Sequence, residues 1–154
     1  MTAAVAGGET RADSVRAGLA EVPGDVPVVL VHDAARPFVS EAVIERVLGG
    51  LGDGVDGVVP ALPLTDTVKR ADGATVVETV DRSGLYAVQT PQAFVAPVLR
   101  SALAASGREG GDCAAFVEAA GGRVHVVDGD PGLFKITTPA DLALAERLLG
   151  DRDE

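Results

Sequence analysis

Pro27-Val28-Val29-Leu30-Val31-His32-Asp33-Ala34-Ala35-Arg36-Pro37 is the stretch whose reading decides the fold. Val28 to Val31 form an apolar run without alternation, the pattern of a β-strand covered on both faces in a parallel sheet. The run ends in a carboxylate, two small residues, a guanidinium and a stiffening proline. In an open α/β sheet, ligands lie outside the carboxyl ends of the strands, which places Asp33 and Arg36 where a metal-bound phosphate would lie. Asp33 alone reads equally well as a turn residue bonded to its own backbone. Arg36 alone reads as a surface charge, and only the pair points to phosphate chemistry.

Outward from this strand the elements alternate. Ala12 to Val22 reads as a helix with Val15, Leu19 and Val22 on one face and Asp13 near its positive end. Ser40 caps a second helix through Val43, Ile44, Val47 and Leu48, with Gly49-Gly50 as its stop. Asp56 to Leu62, with Val58-Val59, is a second short buried strand. Tyr86 to Val88 returns to the sheet and Thr90-Pro91-Gln92 ends that strand. Ala93 to Ala105 reads as helical, with Pro97 in the first turn. Gly107 to Gly111 reads as a flexible loop, Asp112 to Ala119 as a helix and Arg123 to Val127 as a strand. Thr138-Pro139-Ala140-Asp141 is a helix start, and Leu142, Ala145 and Leu149 mark the expected core face. The expected fold is α/β, a mostly parallel sheet flanked by helices.

Residues 64–83 break this rhythm. Thr65 to Arg70 and Ala74 to Val80 read as two strands joined through Asp72-Gly73, a protruding β-arm. A two-stranded ribbon is marginal alone in water, so the arm packs against its own domain or against a second subunit.

Composition limits the remaining readings. The chain has 154 residues, 47% hydrophobic and 23% charged, enough for one domain, taken as residues 1–154, with a real core. No apolar stretch approaches the roughly 20 residues of a membrane span, and Met1 to Ala6 lacks a basic n-region and a long apolar core. A cytoplasmic setting with no membrane partner is expected. The single cysteine, Cys113, excludes an internal disulfide framework, and two histidines argue against a zinc site. A net charge of −10 argues against nucleic acid as a partner, because phosphate backbones reward clustered bases. A phosphorylated small molecule stays compatible with it, since a few bases and Mg²⁺ can hold a phosphate.

Five motifs occur in one order: Gly7-Gly8-Glu9-Thr10-Arg11-Ala12-Asp13-Ser14-Val15-Arg16-Ala17-Gly18-Leu19, His32 to Pro37, Asp66-Thr67-Val68-Lys69, Gln89-Thr90-Pro91-Gln92-Ala93-Phe94 and Lys135-Ile136-Thr137-Thr138-Pro139. The combination resembles the 2-C-methyl-D-erythritol 4-phosphate cytidylyltransferases, from Gly7 to Leu149. The resemblance implies a nucleotide-diphospho-sugar-transferase-like fold and a homodimer whose arms cross. It also implies transfer of CMP from CTP to methylerythritol phosphate with Mg²⁺, releasing pyrophosphate. A ribitol 5-phosphate cytidylyltransferase shares much of the pattern, and a non-catalytic dimerising or nucleotide-binding remnant is the alternative without chemistry.

By the same resemblance, Gly8, Glu9 and Ser14 contact CTP, and Asp33 is the metal and substrate ligand. Arg36 neighbours the substrate phosphate or makes a structural salt bridge. Thr67 and, across the dimer, Arg82 and Thr90 hold the polyol phosphate, Arg82 by two parallel bonds. Lys135 is the second positioning base. His32, His125 and Cys113 receive no catalytic role.

Three departures accompany the likeness. Gly111 stands where the family shows a hydroxyl, Cys113 where it shows an acid, and Phe134 where a polar residue is usual. The family also begins with a strand and a Gly-rich loop whose Arg and Lys hold the triphosphate, and no such unit precedes Gly7. The expectation is a truncated or mis-started reading frame, or one part of a split enzyme. Such a chain would be slower by about 10²–10³ for each lost donor.

Overall fold

The computed structural model describes residues 3–105 and 111–150; most of the loop expected at Gly107 to Gly111 lies outside them. Its main sheet is built around Gly57–Pro63 (β2). Val28–Val31 (β1) pairs antiparallel with Gln92–Val95 (β6), Val28 opposite Val95 and Val31 opposite Gln92. On one edge, β2 pairs antiparallel first with β6 at Gly57 and Val58, then with Tyr86–Val88 (β5) at Ala61 to Pro63. Val124–Asp128 (β7) runs parallel along the other edge, from Gly57 to Ala61 of β2.

The sheet is therefore mixed and mostly antiparallel, with one parallel pair, which corrects the expectation of a mostly parallel sheet. An apolar run shows that a strand has apolar neighbours but carries no information about their direction. Gln92 to Val95, largely expected within a helical region, is the antiparallel strand β6 that stands between β1 and β2. β1 is also not covered evenly on both faces: Val29 is buried, whereas Leu30 is 42% exposed.

Helices cover both faces. Arg11–Ala20 (α1) starts at Thr10, whose hydroxyl accepts the Asp13 N–H. It lies on one face with Ala96–Ala105 (α3) and Cys113–Ala119 (α4), around a core that includes Leu19, Val29, Val59, Phe94, Leu99 and Phe116. Glu41–Gly49 (α2), capped by Ser40 as expected, covers the other face, where Val47 packs with Val55, Val58 and Ala93. Adjacent residues of β2 and of β6 thus feed opposite cores, as the two-residue period of a strand requires. Burial of Phe94, which is fully enclosed, contributes about 1.5–3 kcal/mol. Gly57 makes room for it, since a Cβ there would stand 2.7 Å from the ring.

The arm is a separate two-stranded sheet of Val68–Asp72 (β3) and Thr75–Val80 (β4), with a register shift between Arg70 and Ala71. Val76 and Val77 are each 57% exposed on it. Pro139–Gly150 (α5) begins with the expected cap. The Asp141 carboxylate accepts the N–H groups of Thr137 and Thr138 and the Thr137 hydroxyl, while the Thr138 hydroxyl accepts the Asp141 N–H. The two backbone donors pull the Asp141 carboxyl down to about 2. The expected core face of α5 is not buried as a whole: Ala145 is enclosed, but Leu142 is 49% and Leu149 52% exposed. Among the described residues no helix is long and apolar enough to cross a membrane.

Candidate functional site

The carboxyl end of β1 opens into a chain of hydrogen bonds. The backbone N–H of Asp33 donates to the Thr90 hydroxyl oxygen at 3.0 Å, and that oxygen lies 2.9 Å from His32 Nδ1. His32 Nε2 lies 2.9 Å from the Arg36 carbonyl. A carbonyl only accepts, so Nε2 carries the proton and Nδ1 accepts from the Thr90 hydroxyl. His32 is thus a structural brace between the strand end and Thr90, and Thr90 is a neighbour of Asp33 within the same chain.

Two cations converge on the Asp33 side chain. Arg11, the first residue of α1, donates from Nε at 3.3 Å and Nη2 at 3.2 Å to Oδ1. Lys135 donates to Oδ2 at 3.1 Å. Burial alone would raise the Asp33 carboxyl, but the Lys135 hydrogen bond and the two positive charges outweigh it and hold the carboxyl below its ordinary value. The remaining Arg11 nitrogen, Nη1, stands 3.4 Å from the Cys113 sulfur. Burial pushes that thiol up, against the pull of Arg11.

Arg36 faces inward to backbone rather than to Asp33. Its Nη1 donates to the Leu133 carbonyl at 2.7 Å and its Nη2 to the Val88 carbonyl at 3.5 Å, while Nε is buried with no partner. Residues 128–133 are held in the same manner from two further sides. The Gln89 amide exchanges bonds with the Asp130 N–H and carbonyl, and Arg46 donates to the Asp128 and Gly129 carbonyls. This bracing fixes the loop that leads into Lys135, which lies in irregular backbone.

The result is two clefts that share a wall. One, about 270 Å³, is lined by Arg11, Asp33, Arg36, Thr90, Gln92, Asp112 and Lys135 among others. The other, about 470 Å³, runs along α1 and β1 and reaches Ser14, Arg11 and Asp33. Ser14 is locked at its mouth, accepting the Gly8 N–H and donating to the Thr10 carbonyl, each at 3.1 Å. A Cβ on Gly8 would collide with the Asp13 side chain, which explains the glycine. Glu9 is exposed in the same loop.

The structure therefore brings Asp33, Arg36, Thr90 and Lys135 together, with Ser14 and Gly8 next to them. Thr67 and Arg82 are elsewhere, at the base of the arm, where Arg82 Nη1 donates to the Leu64 carbonyl at 3.2 Å. Sequence reasoning passed over Arg11, Gln92 and Asp112. A signal for Arg11 was present, because a cation in the first turn opposes the helix dipole and is better explained by a partner elsewhere. Gln92 donates to Asp112 at 2.6 Å and leaves its own carbonyl oxygen buried without a partner; its register opposite Val31 is visible only once β6 is known.

As a place for a divalent cation, the cleft offers few protein oxygens. Among the described residues no three His, Cys, Asp or Glu side chains converge. A single carboxylate at Asp33 suits Mg²⁺ that takes its remaining ligands from phosphate oxygens and water.

The family model described as "IspD: 2-C-methyl-D-erythritol 4-phosphate cytidylyltransferase" matches residues 2–151. A protein of that name from Nocardia farcinica is 56% identical over 149 residues, covering 96% of this chain and 64% of its own length. One from Saccharopolyspora erythraea is 52% identical, covering 94% of this chain and 66% of its own. The chain thus spans slightly under two thirds of the length of these curated relatives. The crystal structure of the Thermus thermophilus cytidylyltransferase superposes with a TM-score of 0.86 at 42% identity, covering 94% of this chain and 72% of that one.

Proposed function

Because the chain belongs to the 2-C-methyl-D-erythritol 4-phosphate cytidylyltransferase family, we propose that it serves the transfer of CMP from CTP to 2-C-methyl-D-erythritol 4-phosphate, releasing pyrophosphate. The observation that carries this reading is the junction of the two clefts at Arg11 and Asp33. One cleft presents Ser14 and the Gly8 loop to the nucleotide; the other presents Thr90, Arg36 and Lys135 to the phosphate of the acceptor. An acceptor phosphate oxygen would meet the α-phosphorus of CTP between them.

The nucleophile is already an anion, so no general base is needed, and catalysis rests on alignment and charge stabilisation. Asp33 would hold Mg²⁺, which neutralises the triphosphate oxygens when bound. Lys135 and Arg11 set the positive field at the junction. Arg36 acts mainly through the backbone of the Lys135 loop, which its guanidinium ties to the end of β1. Thr67 and Arg82 come to the acceptor from the arm of a second copy, which makes the arm, residues 64–83, the dimerisation element. The exposed Val76 and Val77 of β4 are the apolar surface that such a dimer would cover. The compartment is the cytoplasm, where CTP is available.

The test is product formation followed by ³¹P NMR, with CTP, Mg²⁺ and either methylerythritol phosphate or ribitol 5-phosphate, alongside calorimetric binding of each. The expected result is binding of methylerythritol phosphate and a cytidine diphosphate product from it in preference to the ribitol compound. Preference for ribitol 5-phosphate would reassign the acceptor, and absence of binding by CTP and both acceptors would overturn the reading.

A further inference from the structure

We propose that Lys135 is a counter-ion gate on Asp33: its ammonium occupies the carboxylate until a phosphate-bearing ligand draws it away, so that a divalent cation enters the site only together with that anion. The inference rests on the reading of Asp33 as the metal's carboxylate.

Both Asp33 oxygens are engaged. Oδ1 accepts from two nitrogens of Arg11 and Oδ2 accepts from Lys135. A metal ion approaching the acceptor position left on Oδ2 meets the Lys135 ammonium 3.1 Å from that oxygen and the Arg11 guanidinium on Oδ1, so like-charge repulsion opposes its entry until one of the cations yields.

The two cations are not held alike. Arg11 is anchored by its place at the start of α1, by its paired bonds to Oδ1 and by the Cys113 sulfur beyond. Its planar fork makes these contacts as a unit. The Lys135 side chain is 45% exposed, against 34% for Arg11. It reaches Asp33 through a single hydrogen bond, at the end of a flexible four-carbon stem. Lys135 is therefore the group that leaves, and the cleft it lines offers a destination. Thr90, Arg36 and Lys135 line it together, and a phosphate placed there gives the released ammonium a charge to meet. Arg11 stays and keeps Asp33 aimed. Anion and metal then bind with positive coupling, each removing an obstacle to the other.

The probe is Mn²⁺, read by the electron paramagnetic resonance signal of the free ion, with the chain alone and with inorganic phosphate. Without phosphate, Lys135→Met should bind Mn²⁺ about tenfold more tightly than the wild type, the size of a nearby like charge removed in a water-rich cleft. Lys135→Gln should behave in the same way. Phosphate should tighten Mn²⁺ binding in the wild type and leave both variants nearly unchanged. Equal Mn²⁺ affinity of wild type and both Lys135 variants without phosphate would overturn the gate, as would full phosphate coupling retained in the variants. Asp33→Asn should abolish the binding. Its retention there would instead remove Asp33 as the metal's carboxylate, and with it the gate.

Discussion

Arg36 and Leu133 are 97 positions apart in sequence, yet the Arg36 guanidinium donates to the Leu133 carbonyl at 2.7 Å and so ties the end of β1 to the loop that carries Lys135. Arg36→Met removes this charged donor from a backbone carbonyl of a fully buried residue. The expected loss is about 1.5–3 kcal/mol, the range for hydrogen bonds to charged groups. Urea unfolding with an unchanged m-value checks it. Arg36→Lys should not restore the loss, because a point charge cannot address the Leu133 and Val88 carbonyls together.

Gly57→Ala places a methyl group against the Phe94 ring, where the gap is 2.7 Å. Overpacking of this kind costs about 1–3 kcal/mol. Adding Phe94→Leu should recover part of that cost. The double mutant is then less destabilised than the sum of the singles, and a thermodynamic cycle measures the coupling.

Asp141 makes stability depend on acid pH. Its carboxyl falls from an ordinary 3.8 to about 2 in the folded chain, so the folded state favours the ionised form. The stabilisation is fully present above the ordinary value and disappears as pH falls through about 2. Asp141→Asn should lower the melting temperature at neutral pH, and the gap between variant and wild type should close across that window. Thermal melts between neutral pH and strongly acidic buffer test this.

Ser14 donates its only hydroxyl hydrogen to the Thr10 carbonyl, so toward a ligand it can act only as an acceptor. That matches the exocyclic amine of cytosine and not the carbonyl that uracil carries in its place. Ser14→Ala should weaken CTP by about fivefold, one ordinary hydrogen bond, and change UTP affinity far less. Calorimetric titration of both nucleotides decides it.

Val76→Asp together with Val77→Asp places charge on the exposed face of β4. If the arm joins two copies, the double variant should be monomeric by light scattering at concentrations where the wild type is dimeric, with the circular dichroism of the two alike.

The parts of the fold legible in the sequence were those governed by local chemistry. Ser40 caps α2, Thr138 and Asp141 open α5, and the arm turns next to Asp72-Gly73 because each depends on residues a few positions apart. Strand direction was not legible, because it depends on which strand lies alongside. The short Gln92–Val95 strand runs directly into α3, and the expected helix, begun at Ala93, took in most of it. In the site, Asp33, Thr90 and Lys135 were legible as motif residues. Arg11 stood in a motif and carried a signal in its first-turn charge, but its place in the site was not legible, because its partners Asp33 and Cys113 are 22 and 102 positions away.

The loop at residues 128–133 is gripped by its amides: Arg36 from beyond β1, Arg46 from α2 and Gln89 from beyond β5 bond its carbonyls and one N–H. A segment specified in this way takes most of its conformation from outside residues, helped from within by the Asp130 carboxylate, which accepts the Gly132 N–H, and by the buried Leu133. Mutational tolerance should therefore be inverted here. Asp128 and Pro131, which face solvent, can drift, whereas the three distant side chains that hold the loop cannot. The shape of the approach to Lys135 is encoded in good part outside the loop that forms it.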